Sequence, residues 1–226
     1  MGARGSILDV ARKGREMSFH AEVLSEAQRA VLPILGPWVS ARGFYLGGGT
    51  AVALYLGHRR SVDFDWFARE RIQYPLLLAE QLRECGLQME GLQVAPGTLH
   101  VAIQDVRVSF FEYPYPLVGE PTAWPEHSAK LASLDDLACM KLAAIAQRGS
   151  RKDFIDLHEI ALSHKPIEDI LPLYQRKYSS QDIGHILVGL TYFDDAEEEP
   201  MPVMLSDVSW DDVKRQFRAW TKALVG

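Results

Sequence analysis

Two short clusters constrain this chain most: Gly48-Gly49-Thr50, and then Asp63-Phe64-Asp65, with thirteen residues between Gly49 and Asp63. Phe44-Tyr45-Leu46 reads as a short strand stopped by Gly47-Gly48-Gly49, and residues 50–57 read as a short buried helix closed by Gly57. Glycines between a strand and a helix leave backbone N–H groups free to meet an anion, and the helix dipole adds to the attraction. The plainer reading is a tight turn that needs positive φ. Val62 to Phe67 reads as a strand with Val62, Phe64 and Trp66 on one face, so Asp63 and Asp65 share the other. Two acids at that spacing suit a hard cation, which takes one or two carboxylates and completes its shell with phosphate oxygens. The alternative is an exposed acidic face on an edge strand. The chain has neither a Walker GxxxxGK[ST] loop nor a GxGxxG fingerprint, so P-loop and Rossmann folds have no support.

Composition narrows the class. With 226 residues, 47% hydrophobic and 24% charged, the chain can bury the core of one large domain or of two smaller ones. Its net charge of −6 gives no global basic field, so a polyanion has to be met by a local patch. Arg59 and Arg60, with Arg148, Arg151 and Lys152, are the candidates. Cys85 and Cys139 stand alone without metal-ligand spacing, which suits a reduced, cytoplasmic chain. No window approaches 18 uninterrupted apolar residues, so no membrane partner is expected.

The remaining pattern predicts an α+β fold. Residues 5–40 read as helical, interrupted near the end by Pro33 and Pro37. A helix near 74–84, a run near 87–94, and a hairpin of Leu99–Ile103 with Val106–Phe111 follow. Pro114, Pro116, Pro121 and Pro125 suggest an extended link, dividing an α/β core over 1–120 from a helical subdomain over 121–226. In that second part Ser133 and Asp136 resemble a capping box for a helix over 134–147. Asp153–Ser163 reads as the next helix, with weaker ones near 167–177, 180–192 and 208–224. The acidic stretch Asp194–Glu199 reads as a solvated loop. The aromatic run from Phe110 to Tyr115 is expected to pack on the helices, with base stacking as the alternative, and His58 is expected to be structural.

Leu46-Gly47-Gly48-Gly49-Thr50-Ala51 followed by Asp63-Phe64-Asp65-Trp66 resembles the hG[GS]x(9–13)Dh[DE]h signature of the DNA polymerase β-like nucleotidyltransferases. Within that superfamily, the run from Gly48 to Leu54 and the run from Gly57 to Asp65 resemble the first motif of the AbiEii/AbiGii toxin family. The resemblance is strong over 44–67 and moderate over 131–162. It implies a polymerase β-like core, a mixed sheet flanked by helices, followed by helices. It also implies an enzyme that moves a nucleoside monophosphate from an NTP to an acceptor hydroxyl, on RNA, tRNA or protein, and releases pyrophosphate. Asp63 and Asp65 would then hold Mg²⁺ or Mn²⁺, and Gly48, Gly49 and Thr50 would seat phosphates beside Arg60 and Ser61. Lys141 would neutralise triphosphate charge, with Asp153 or Asp156 orienting it. The alternative for these residues is a snorkelling lysine and a helix-capping aspartate. A cognate antitoxin is the implied partner.

The chain departs from the pattern in two places. Gly47 replaces the hydrophobic residue before the first motif glycine, and the superfamily's third carboxylate has no clear counterpart. On the candidate strand Val106–Glu112, Ser109 stands in the middle and Glu112 at the end, so Glu112 is the candidate third ligand, or else an acid from the helical half takes its place. Two other functions use the same residues. One is a catalytically impaired nucleotide-binding or regulatory module, and the other is a small-molecule (antibiotic) nucleotidyltransferase.

Overall fold

The computed structural model describes residues 18–226, so the part of the expected first helix before residue 18 lies outside the described residues. Helix α1 (Glu26–Ala41) starts at Ser25 with a complete capping box: the Ser25 hydroxyl accepts from the Gln28 amide, and the Gln28 side chain accepts from the Ser25 amide. Pro33 and Pro37 lie inside this helix and do not interrupt it. They stand four residues apart on its exposed face with Arg29, so the carbonyls that lose N–H partners face water. The opposite stripe, Val31, Leu32, Leu35, Trp38 and Val39, is buried.

Strand β1 (Tyr45–Gly47) runs directly into α2 (Gly48–Leu56), which ends on Gly57 in the left-handed region. Next come β2 (Asp63–Ala68), α3 (Pro75–Glu84), β3 (Met89–Ala95), β4 (Thr98–Ile103) and β5 (Val106–Glu112). Two three-residue strands, β6 (Thr122–Trp124) and β7 (Ala129–Leu131), complete a seven-stranded mixed sheet of order β3-β4-β5-β2-β1-β7-β6. The β2/β5 and β1/β7 pairs are parallel and the others antiparallel. The sheet therefore continues past the division expected at 120/121, because β6 and β7 lie beyond it. Strands of three residues are too short to leave an alternation pattern in the sequence.

Burial alternates along β2: Phe64, Trp66 and Ala68 point into the core, while Asp63, Asp65 and Phe67 face the other way. Val62, expected among the buried set, precedes the strand and is exposed. On the apolar face, Trp38 of α1 and Phe44 both meet the Phe110 ring edge-on, with centroids 5.7 and 5.3 Å away. The acidic face is met by α4 (Leu134–Arg148), for a Cβ at Gly47 would lie 3.3 Å from the Met140 methyl.

The remaining helices are α5 (Arg151–Ser163), α6 (Ile167–Tyr178), α7 (Gly184–Gly189), α8 (Asp194–Glu197) and α9 (Trp210–Val225). The helix expected over 180–192 is the shorter α7. The acidic stretch at 194–199 is exposed for most of its length, as expected, but is helical over Asp194–Glu197. That helix is α8, and the Glu199 carboxylate accepts from the Arg151 amide and the Ser150 hydroxyl at the start of α5. Phe154, Phe193, Trp210 and Phe217 make one aromatic cluster that joins α5, α8 and α9. The fully buried Lys177–Asp136 pair, at 2.8 Å, ties α6 to α4. Among the described residues, no helix is long and apolar enough to cross a membrane.

Candidate active site

The β1–α2 turn places Gly48 at φ +63, a conformation that suits glycine. A Cβ there would lie 2.3 Å from Asp65 Oδ2, and one on Gly49 would lie 2.3 Å from Arg59 Nη2. The two glycines thus let the first turn of α2 close against a carboxylate and a guanidinium. The first four N–H groups of a helix have no partner within it, so this turn presents donors beside Asp65. Gly48→Ala is expected to cost about 1–2 kcal/mol from the left-handed conformation. Because the Cβ would also displace Asp65, activity should fall about tenfold or more. Thermal melts and turnover measured on the same preparation separate the two effects.

The Thr50 side chain serves the backbone, and Ser61 meets it. Thr50 is buried; its hydroxyl bonds the Asp63 carbonyl and lies 2.8 Å from Ser61 Oγ, fastening α2 to the entry of β2. The expectation that the Thr50 hydroxyl seats a phosphate is therefore corrected, because it is already engaged. Arg60 is exposed, and its amide donates to the Val203 carbonyl. Neighbouring Arg59 is the arginine that reaches the site. It is buried beneath Gly49 with Nε 2.6 Å and Nη2 2.7 Å from the two oxygens of Asp156.

Asp156 is fully buried and binds three groups, Arg59, His58 Nε2 at 2.8 Å and Lys141 Nζ at 2.7 Å. Lys141 also donates to Asp153 at 2.7 Å, and Asp153 accepts from Arg148 Nε at 2.8 Å. Three cations and two carboxylates thus leave one positive charge in excess facing Gly48 and Asp65. Burial alone would raise both carboxyls. Arg59 and Lys141 hold Asp156 well below the usual carboxylate range, and Lys141 and Arg148 hold Asp153 low. Burial likewise would lower Lys141, but Asp153 and Asp156 keep it above the usual lysine value. Lys141 donates to Asp153, is ion-paired with Asp156, and also lines the cavity, where its ammonium has a further N–H to offer. Asp153 is the third residue of α5 rather than its cap, and Asp156 acts by holding Arg59 and Lys141.

Asp63 and Asp65 differ. Asp63 is paired with Arg107 through two contacts, 2.7 and 3.3 Å. Burial pushes the Asp65 carboxyl above the usual range and Asp63 adds to this, against the opposing charges of Lys141, Lys152 and Arg148. Such a carboxylate is relieved by a cation. Among the described residues no group of three His, Cys, Asp or Glu could hold a metal ion. Any metal would therefore rely on these two carboxylates and on substrate oxygens, a donor set that suits Mg²⁺.

Glu112 does not join them. In the β2/β5 register Asp63 faces Arg107, Asp65 faces Ser109, and Glu112 falls opposite Ala68, whose side chain points to the other face. The Glu112 carboxylate accepts from the Ile72 amide at 3.2 Å. Its reading as the third ligand is corrected for that reason. The expected basic patch also divides: Arg151 turns to the carbonyls of Ala196 and Glu197, while Arg148 lines the cavity.

Two cavities meet at Asp65. The first, about 600 Å³, is lined by Gly48, Lys141 and Arg148 and by the rings of Phe111, Tyr113, Tyr115 and Tyr178. These tyrosines pack on α6, with centroids of 4.7 Å for Tyr115–Tyr178, and they also wall the cavity. The second, about 450 Å³, lies over β5 and β4 beside Arg107, Ser109 and His100.

A glycine-started helix against an Asp-x-Asp strand, facing a helix-borne lysine, defines a nucleotidyltransferase fold. The chain belongs to the family described as "Nucleotidyl transferase AbiEii toxin, Type IV TA system", which it matches over residues 39–224. It is 33% identical over 202 residues to an uncharacterized protein of Aquifex aeolicus (strain VF5), covering 88% of this chain and 96% of that one. In fold it is similar to MenT4, a nucleotidyltransferase toxin of Mycobacterium tuberculosis H37Rv. That match has TM-score 0.52 and 18% identity, with 90% of this chain and 87% of that chain covered. JHP933 of Helicobacter pylori is similar at TM-score 0.50 and 17% identity, over 89% and 93% of the two chains.

Proposed function

We propose that this enzyme transfers a nucleoside monophosphate from an NTP to a hydroxyl of RNA, using Mg²⁺ or Mn²⁺, as a toxin restrained by a cognate antitoxin. The observation that carries the reading is the place of Asp65 between two cavities of different chemistry. The cavity with aromatic walls and cations suits a nucleotide, whose base stacks on tyrosine and whose phosphates meet Lys141 and Arg148. Amides of the α2 turn complete the phosphate seat. A metal on Asp63 and Asp65 would lower the pKa of the acceptor hydroxyl and neutralise charge on the leaving pyrophosphate. Arg59 and Asp156 keep Lys141 and the α2 turn fixed, and such positioning carries most of the rate in phosphoryl-type transfer. RNA is favoured as acceptor because the second cavity carries hydrogen-bonding side chains and the exposed Arg107, which suit ribose and phosphate.

Purified protein with Mg²⁺, each of the four NTPs labelled at the α-phosphate and total RNA should yield labelled RNA, and EDTA should abolish it. One observation favours a second reading, a nucleotide-binding module that does not transfer: Arg107 is paired with Asp63, and among the described residues no third carboxylate groups with the pair as a metal site. Mg²⁺-dependent NTP binding without any labelled product would select that reading.

A further inference from the structure

From Asp65 the sheet carries a row of side chains that the nucleotide site leaves unused. Asp65 on β2 stands opposite Ser109 on β5, Ser109 opposite His100 on β4, and His100 opposite Gln93 on β3. Neighbouring strands lie about 4.8 Å apart, so the row leads away from the acid pair in regular steps. Ser109 Oγ is 2.9 Å from His100 Nδ1, and the ring is braced edge-on against Phe111 at 5.5 Å between centroids. His100 is half-buried, and its Nε2 has no partner among the described residues. Ala102, opposite Arg107, adds little bulk, and a bulge between Glu90 and Gln93 carries Gly91 at φ +63 with open space around it. Together these leave the cavity of about 450 Å³ that is lined by Asp63 and Asp65 and shares Asp65 with the aromatic cavity.

We infer that this cavity is the acceptor subsite and that His100, held by Ser109, binds the attacking hydroxyl at the end of the RNA. The inference rests on the transferase reading above. With Nδ1–H donated to Ser109 Oγ, Nε2 is left as an acceptor that receives the acceptor's O–H and aims its oxygen toward the acid pair. Ser109 thus occupies the register position opposite Asp65 and holds the ring of His100 one strand further on. Gln93 and Arg107 line the same cavity and contact the rest of the terminal nucleotide.

The test compares wild type, His100→Ala, His100→Gln and Ser109→Ala in three assays, Mg²⁺-dependent NTP binding, transfer of α-label to titrated total RNA, and transfer of α-label to lysate protein. Expected for His100→Ala is NTP binding within about twofold of wild type and a loss of about tenfold or more in kcat/KM for RNA. His100→Gln, whose amide reaches the Nε2 position, should recover part of that loss, and Ser109→Ala should lose an intermediate amount. Equal transfer by His100→Ala and wild type overturns the subsite, as does a parallel loss of NTP binding. Label in lysate protein instead of RNA overturns the RNA end as acceptor. A wild type that binds NTP but labels nothing overturns the transferase reading itself, a result distinct from the other three.

Discussion

Asp65→Asn is expected to lower nucleotide transfer by about 10³-fold or more while leaving the protein at least as heat-stable as the wild type. The first half follows from the positioning of Asp65, which stands at the junction of both cavities and beside the α2 turn. Phosphoryl-type transfer depends on charge stabilisation at that point, and losses of this size follow when its main electrostatic group is removed. The second half follows from the direction of the Asp65 shift. Burial and the Asp63 charge raise its folded-state pKa, so the ionised carboxylate is disfavoured by folding above the unfolded pKa. An isosteric amide removes that penalty. A variant that unfolds several degrees earlier, or that transfers at more than about a tenth of the wild-type rate, would contradict this account of the residue.

Asp156→Asn should, by contrast, destabilise the fold. The substitution removes the carboxylate that binds Arg59, His58 and Lys141 together, leaving the buried Arg59 without its partner and Lys141 with Asp153 alone. Breaking such a pair costs about 3–5 kcal/mol. In a chain of this size that lowers the melting temperature by roughly 6–20 °C. The pH dependence has a definite sign. Asp153 and Asp156 have folded pKa values below their unfolded ones, near 3.9 for a free aspartate, so their contribution is complete above about pH 4 and is lost as pH falls further. Lys141 has a raised folded pKa, so its contribution is complete below roughly pH 10 and fades only above it. Urea midpoints should therefore be flat across neutral pH and drop steeply in acid, with a shallower drop for the variant. A melting temperature unchanged within about 2 °C would contradict the central place given to Asp156.

These residues were unequally legible in the sequence. Gly48, Gly49, Asp63 and Asp65 announce themselves because a turn and a strand are local objects, and the alternation along β2 fixes which acids share a face. Lys141, Asp153 and Asp156 could be singled out, but their roles could not be assigned. Arg59 and His58 lie 97 and 98 residues from Asp156 in the chain, and no local pattern reports a contact of that range. The choice between Arg59 and Arg60 is of the same kind. The pairing of this segment with 203–206 turns one arginine inward and the other to solvent. Glu112 was misread because its place depends on strand register, where an offset of one residue exchanges the faces. His100 had no signal of its own: a lone histidine within an apolar strand becomes notable only when Ser109 and Asp65 lie in the same row.

The most direct measurement uses the position of the label. Wild-type protein with Mg²⁺ and total RNA is given each NTP labelled on either the α- or the γ-phosphate, and the RNA is then separated and counted. Nucleotidyl transfer predicts that α-label enters the RNA with at least one NTP while γ-label leaves as pyrophosphate. Incorporation of γ-label, or of neither label with any NTP, would contradict it.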